Sequence, residues 1–166
     1  MNPQLEVLSS GFEGSFPPQG WNVTMVHNSG STPPQWFGAF RSPYIGQQSP
    51  HSGEQLAYFN SYNCQAGSMA RLESPALDLS DINAPELSFW FYHDSSWSDR
   101  NDRIQVQVST GSRTWTDLGS TISRYSPTQS GWQQHTLSLW EYQDRITSKS
   151  ASLASANMAT TSPLTT

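Results

Sequence analysis

The chain has 166 residues and carries 8 Lys and Arg against 13 Asp and Glu, a formal net charge of −5. That length fits one domain with a substantial core, and that charge excludes the basic surface that tracks a phosphate backbone, so no nucleic acid partner is expected. A single cysteine, Cys64, excludes an internal disulfide, and no stretch is apolar enough for a membrane span or a signal peptide. No membrane insertion is therefore expected, and the signal of an exported protein would lie upstream.

Aromatic residues are plentiful, Lys, Glu and Ala are sparse before position 146, and Ser, Thr, Gly, Pro, Asn and Gln abound. This is the composition of an all-β domain from an extracellular or cell-surface protein. After a short apolar alternation at Leu5, Val7 and Leu8, the segment Gly11 to Trp21 holds glycines and prolines that forbid a helix, so it reads as an irregular stretch pinned by Phe12, Phe16 and Trp21. Asn22-Val23-Thr24 matches a glycosylation acceptor, a pattern common by chance. Short strands are predicted at Trp36 to Phe40 and Gln55 to Asn60, separated by Ser/Gly/Pro loops in which His27 and His51 read as surface histidines. Cys64 has no activating neighbour in sequence and reads as a structural thiol.

The organising stretch runs from Met69 to Thr116. Leu87, Phe89 and Phe91 fall on one side of an extended chain and Ser88, Trp90 and Tyr92 on the other, so this strand is expected to be covered on both faces. Ile104, Val106 and Val108 alternate with Gln105, Gln107 and Ser109, the pattern of one dry and one wet face. Between the two, His93 to Arg103 is polar and too long for a tight turn, which predicts a surface loop. A turn at Ser109 to Arg113 leads into Thr114-Trp115-Thr116, and Trp132 to Trp140 forms a last alternating strand with Leu137 and Leu139 inward. Strands at this spacing, with no amphipathic helical period, predict a two-sheet antiparallel β-sandwich.

Several landmarks in order resemble the bacterial jelly-roll domains called choice-of-anchor J or cleaved adhesin domains, relatives of the MAM domain. They are Phe12-Glu13-Gly14, Phe16-Pro17-Pro18 and Gly20-Trp21, then Ala70-Arg71-Leu72 and Ser74-Pro75-Ala76-Leu77-Asp78-Leu79-Ser80. The match continues through Leu87-Ser88-Phe89-Trp90-Phe91-Tyr92-His93, Asp102-Arg103-Ile104-Gln105-Val106, Thr114-Trp115-Thr116 and Gly131-Trp132. The resemblance implies a jelly-roll sandwich over residues 1–146, closing with two further strands that this sequence lacks. Residues 147–166 are Ser/Ala/Thr-rich and read as a disordered, low-complexity tail. Permissible codons for Ser148 to Thr166, read out of frame, yield Ile-Lys-Ile-Arg-Phe and later Gly-Asn-Asn-Ile-Thr-Ile-Asp-Asn, the ending that the resemblance implies. A frameshift would account for the tail, a hypothesis that the codons of the gene test. A jelly roll without its last strands is expected to leave a gap in a sheet unless the tail or a partner chain fills it.

No Gly-x-Ser-x-Gly elbow and no His-Glu-x-x-His motif is present, and Asp99 and Asp102 read as solvated carboxylates, so the chain is expected not to be an enzyme. The resemblance implies structural calcium, with Glu13 and then Asp102 as the metal ligands, against the plainer reading of both as surface or capping carboxylates. Trp36, Trp97, Trp132 and Trp140 are possible platforms for a sugar ring. Trp97, in the most polar loop, is the expected ligand-binding residue, although most tryptophans in such a domain fill core. The reading as a whole is a non-catalytic adhesion or binding module for glycan or protein, joined to other domains of a larger chain. The alternatives are an accessory domain of a secreted peptidase and a passive spacer.

Overall fold

In a computed structural model of the chain, the described residues are 6–42, 48–99, 102–111, 114–145 and 152–155. Among them the chain is strand-rich, and helix is confined to two 3-10 turns at Ser61–Asn63 and Trp140–Arg145. The all-β class is therefore observed. The strands are β1 (Asn22–His27), β2 (Trp36–Ala39), β3 (Leu56–Phe59), β4 (Met69–Glu73), β5 (Glu86–His93) and β6 (Arg103–Ile104), followed by β7 (Val106–Ser109), β8 (Thr116–Asp117), β9 (Ile122–Ser123), β10 (Gly131–Ser138) and β11 (Ser152–Ser155). No helix among the described residues is long and apolar enough to cross a membrane.

Backbone pairing is more divided than two continuous sheets. One five-stranded sheet has the order β1-β4-β11-β7-β8, and three two-stranded ribbons pair β10 with β5, β2 with β3, and β6 with β9. All of these pairings are antiparallel. The longest ribbon is β5–β10, in register from Glu86 opposite Ser138 to His93 opposite Gly131.

Period-2 alternation sorts the side chains of that ribbon. Leu87, Phe89 and Phe91 turn inward and pack on buried residues of other elements, Phe89 and Phe91 against a cluster of Trp36, Phe59, Ala70, Leu72 and Ile104, and Leu87 against Leu77, Leu79, Val108, Leu139 and Tyr142. Phe12, Phe16 and Trp21 pin the irregular N-terminal segment to the first cluster, with the Phe12 and Trp21 ring centroids 5.2 Å apart and edge-on. Gly38 makes that docking possible, because a Cβ there would lie 2.8 Å from the Cβ of Phe16.

The alternation Ile104, Val106, Val108 is buried as its pattern implies. Its expected wet face is not uniformly wet. The strand breaks at Gln105, with β6 pairing one neighbour and β7 another, and Gln105 is itself buried. Its amide is satisfied there: Nε2 donates to the carbonyls of Val106 at 3.0 Å and Gly119 at 3.2 Å, and Oε1 accepts the Thr121 hydroxyl at 2.8 Å. A buried amide is tolerated because its donors and acceptors are used.

Most of the expected tail lies outside the described residues. Ser152–Ser155 does not, and it departs from the expectation of disorder: it is a strand seated between β4 and β7, with Leu153 opposite Val108 and Ala154 opposite both Gln107 and Glu73. The gap expected in the sheet is occupied. On one face, Arg71 of β4 donates from Nε to the side chain of Gln107 on β7 at 3.2 Å, joining the strands that flank β11, and its guanidinium lies 4.5 Å from the ring centroid of Trp115.

Candidate functional site: an exposed tryptophan on a charge-anchored loop

At the end of β5 the chain enters the loop expected to be a solvated surface segment. Its tip is solvated and its two ends are not: Asp94 and Asp102 are both buried. The physical reason is Arg124, also buried, which lies between them. Its Nη1 is 3.4 Å from Asp94 Oδ2 and its Nε is 3.9 Å from Asp102 Oδ2. The main chain repeats the arrangement, since Arg124 N donates to the Asp102 carbonyl at 2.7 Å and Asp94 N donates to the Arg124 carbonyl at 3.0 Å. One guanidinium thus gives both buried carboxylates a nearby cation, but it balances only one of the two charges, and among the described residues Asp94 Oδ2 and Asp102 Oδ1 accept no hydrogen bond.

The same guanidinium holds the loop tip. Nη1 donates to the Ser96 carbonyl at 3.3 Å and Nη2 to the Trp97 carbonyl at 3.2 Å, while Ser96 N donates to Asp94 Oδ1. Trp97 sits in the left-handed region at φ +59, a conformation that costs a bulky residue about 1–2 kcal/mol. Its side chain is nevertheless 62% exposed. A buried charge network thus fixes the backbone beneath an indole presented to solvent.

Asp102 also faces the turn that carries Cys64. Burial pushes its carboxyl above the ordinary carboxylate range, opposed by a hydrogen bond from Ser61 and by the charge of Arg124. Cys64 is half-buried, its Sγ lies 3.2 Å from Asn60 Oδ1, and burial with the nearby Asp102 charge pushes its thiol up. A raised thiol is a poor nucleophile, which agrees with a structural cysteine.

Glu13 lies elsewhere. Its Oε1 accepts the backbone N–H of Glu54 at 3.0 Å and of Gln55 at 3.3 Å, so it ties the N-terminal segment to the loop before β3. Gly53 is required beside it, at φ +69 and in a position where a Cβ would collide with that carboxylate. Glu13 and Asp102 therefore serve different contacts in this structure. Among the described residues no group of three or more His, Cys, Asp and Glu side chains could hold a metal ion.

The other expected platforms separate by environment. Trp36 is core, donating Nε1 to the Ala70 carbonyl at 3.2 Å. Trp132 is half-buried and donates Nε1 to the Ser49 carbonyl at 3.1 Å, and Trp140 is 59% exposed.

Sequence reasoning missed two features of the ribbon. On its outer face His51 stacks on Trp90 with centroids 3.7 Å apart and 14° between planes, and Trp132 meets Tyr92 edge-on at 5.5 Å. On the inner face His93 and His135 bring their Nε2 atoms to 3.0 Å. Burial lowers both imidazoles, with backbone hydrogen bonds at Ser123 and Arg124 opposing it at His93 and the neighbouring His93 adding to it at His135. Period-2 alternation assigns Trp90, Tyr92, His93, Trp132 and His135 to their faces, but only the register of β5 against β10 shows which of them meet, and only the tertiary structure brings the loop residue His51 to them.

No protein-family model matches the chain, and no curated protein matches it either.

Proposed function

We propose that this chain is a non-catalytic binding module of an exported multidomain protein, a jelly-roll sandwich of the choice-of-anchor J or cleaved adhesin kind, that engages glycan through Trp97. The observation that carries this reading is the combination at Trp97 itself: an indole 62% exposed, in a costly backbone conformation, with its carbonyl fixed by a buried arginine. A domain gains no core from such a side chain. An exposed ring on a fixed backbone, with only two side-chain torsions to restrict, presents a flat apolar face at small entropic cost, which suits stacking on a pyranose.

The test is a glycan array screened with the full chain, followed by titration calorimetry of the strongest ligand. Trp97→Ala is expected to weaken binding by about tenfold while leaving the melting temperature within roughly 2 °C, because the ring contributes little burial. Unchanged affinity in Trp97→Ala sinks the reading. Melting with and without a calcium chelator addresses Glu13 and Asp102 separately: an unchanged melt leaves them as the loop tie and the ion-pair partner described above.

A further inference from the structure

At the opposite end of the β5–β10 ribbon from Trp97, roughly 24 Å away along the strand, the chain leaves β10 at Ser138 and enters the turn Trp140–Arg145. A cleft of about 410 Å³ opens there, lined by Trp140, Glu141 and Tyr142 of the turn, by Ser138, and by Asp117 and Leu118 of the β8 region. Its volume is within the range of about 300–1,000 Å³ typical of small-molecule sites.

We propose that this cleft is a second ligand site, for a neutral pyranose ring of an oligosaccharide. Its lining divides as such a ligand requires. Leu118 and Tyr142 belong to the packed core cluster and make a rigid wall, while Trp140 stands 59% exposed beside them and supplies a face for the C–H side of a sugar. Asp117 and Glu141 are both exposed carboxylates able to accept paired hydroxyls. Asp117 is already oriented, its Oδ1 accepting the Gln107 amide at 2.8 Å. Among the described side chains no Lys or Arg lines the cleft, and its two carboxylates set its sign. They repel sialylated and uronic sugars and leave neutral hexoses as the complementary class. Trp140 is placed by a short tie, its backbone N–H donating to Ser138 Oγ at 3.3 Å.

This site is independent of Trp97, and the experiment keeps the two apart. The full chain is screened against neutral and acidic oligosaccharides, and the strongest neutral ligand is titrated by calorimetry into Trp140→Ala, Asp117→Asn, Glu141→Gln and Trp97→Ala. The proposal expects two binding sites per chain, one weakened roughly tenfold by Trp140→Ala and by at least one of the carboxamide variants and left intact by Trp97→Ala, which weakens the other. Both carboxamide substitutions are isosteric and exposed, so their folding is not at issue. Loss in Trp97→Ala alone overturns this site and supports the other. Acidic oligosaccharides bound as tightly as neutral ones also overturn it, as does the absence of any neutral ligand.

Discussion

The two faces of the β5–β10 ribbon are built from the same kinds of residue and are used differently. Inward, Leu87, Phe89, Phe91 and His93 face Gly131, Gln133, His135 and Leu137, and the row joins both core clusters and ends at the buried Asp94. Outward, Ser88, Trp90 and Tyr92 face Thr136, Gln134 and Trp132, and a single loop residue, His51, stacks on this face. Both rows are aromatic and both contain a histidine contact. What separates them is what lies opposite, so aromatic content alone does not tell a stabilising face from a presenting one.

The sharpest way to break the inner side is at the charge cluster where it ends. Arg124→Met leaves Asp94 and Asp102 buried without their cation, and is expected to cost about 3–5 kcal/mol, read as a lower denaturant midpoint at unchanged slope. The same variant removes the donors that hold the Ser96 and Trp97 carbonyls, so binding through Trp97 should fall with it. A midpoint shift no larger than that of Trp97→Ala would show that the cluster is hydrated and not buried. Next in size is Phe89→Ala. It removes a half-buried ring packed on the Trp36, Leu72 and Ile104 cluster and lying 5.5 Å from the His135 ring, for about 2–3 kcal/mol by the same measurement.

A smaller effect comes from the imidazole pair, and its sign follows from burial. His93 and His135 both have folded values below the ordinary 6.5, so the unfolded chain binds protons more readily. Their contribution to stability is complete well above pH 6.5, where the unfolded imidazoles are also neutral, and is lost as pH falls through 6.5 toward the folded values. Melting temperature should therefore hold between pH 8 and 7 and decline from pH 6.5 toward 5. His135→Gln keeps an inward polar side chain that does not titrate in this range, and should flatten the decline. A decline of equal slope in that variant would assign the acid sensitivity to other groups.

How much of this was legible depends on whether a feature is local. The strands containing Phe89, Val106 and Leu137 follow from alternation within a few residues, and the structure places them as that alternation implies. The loop that carries Trp97 was legible as a loop, and the indole as exposed. Asp102 was read as a solvated carboxylate or an ion ligand because its partner, Arg124, stands beyond four intervening strands, β6 to β9, and nothing near either residue announces the other. The His93 to His135 contact has the same cause: it exists only through the register of two strands separated by a long excursion. Gln105 was misread for a different reason. Its polarity fits the wet side of an alternating strand, but the strand breaks there and the amide turns to the carbonyls of the Leu118–Gly119 turn, a choice made by tertiary geometry. Ser152–Ser155 lacks any β-branched residue, so only the vacancy between β4 and β7 makes it a strand.

The outer face gives the smallest expected change, and its smallness is the informative part. Trp90 is 42% exposed, so Trp90→Ala forfeits the stack with His51 and little core, about 0.5–1 kcal/mol in the denaturant midpoint. Its local effect should be larger than its global one. The segment 48–51 is held to this face by the His51 stack on Trp90, by the edge-on contact of His51 with Trp132 and by the Trp132 bond to the Ser49 carbonyl, so removing the stack leaves only the two ties to Trp132 among these. Amide exchange in residues 48–55 should then quicken while exchange in β5 and β10 stays slow, because opening a surface loop needs less free energy than opening the ribbon. A Trp90→Ala cost as large as that of Phe89→Ala would mean the outer row is covered in solution as fully as the inner one, and the distinction between the faces would be lost.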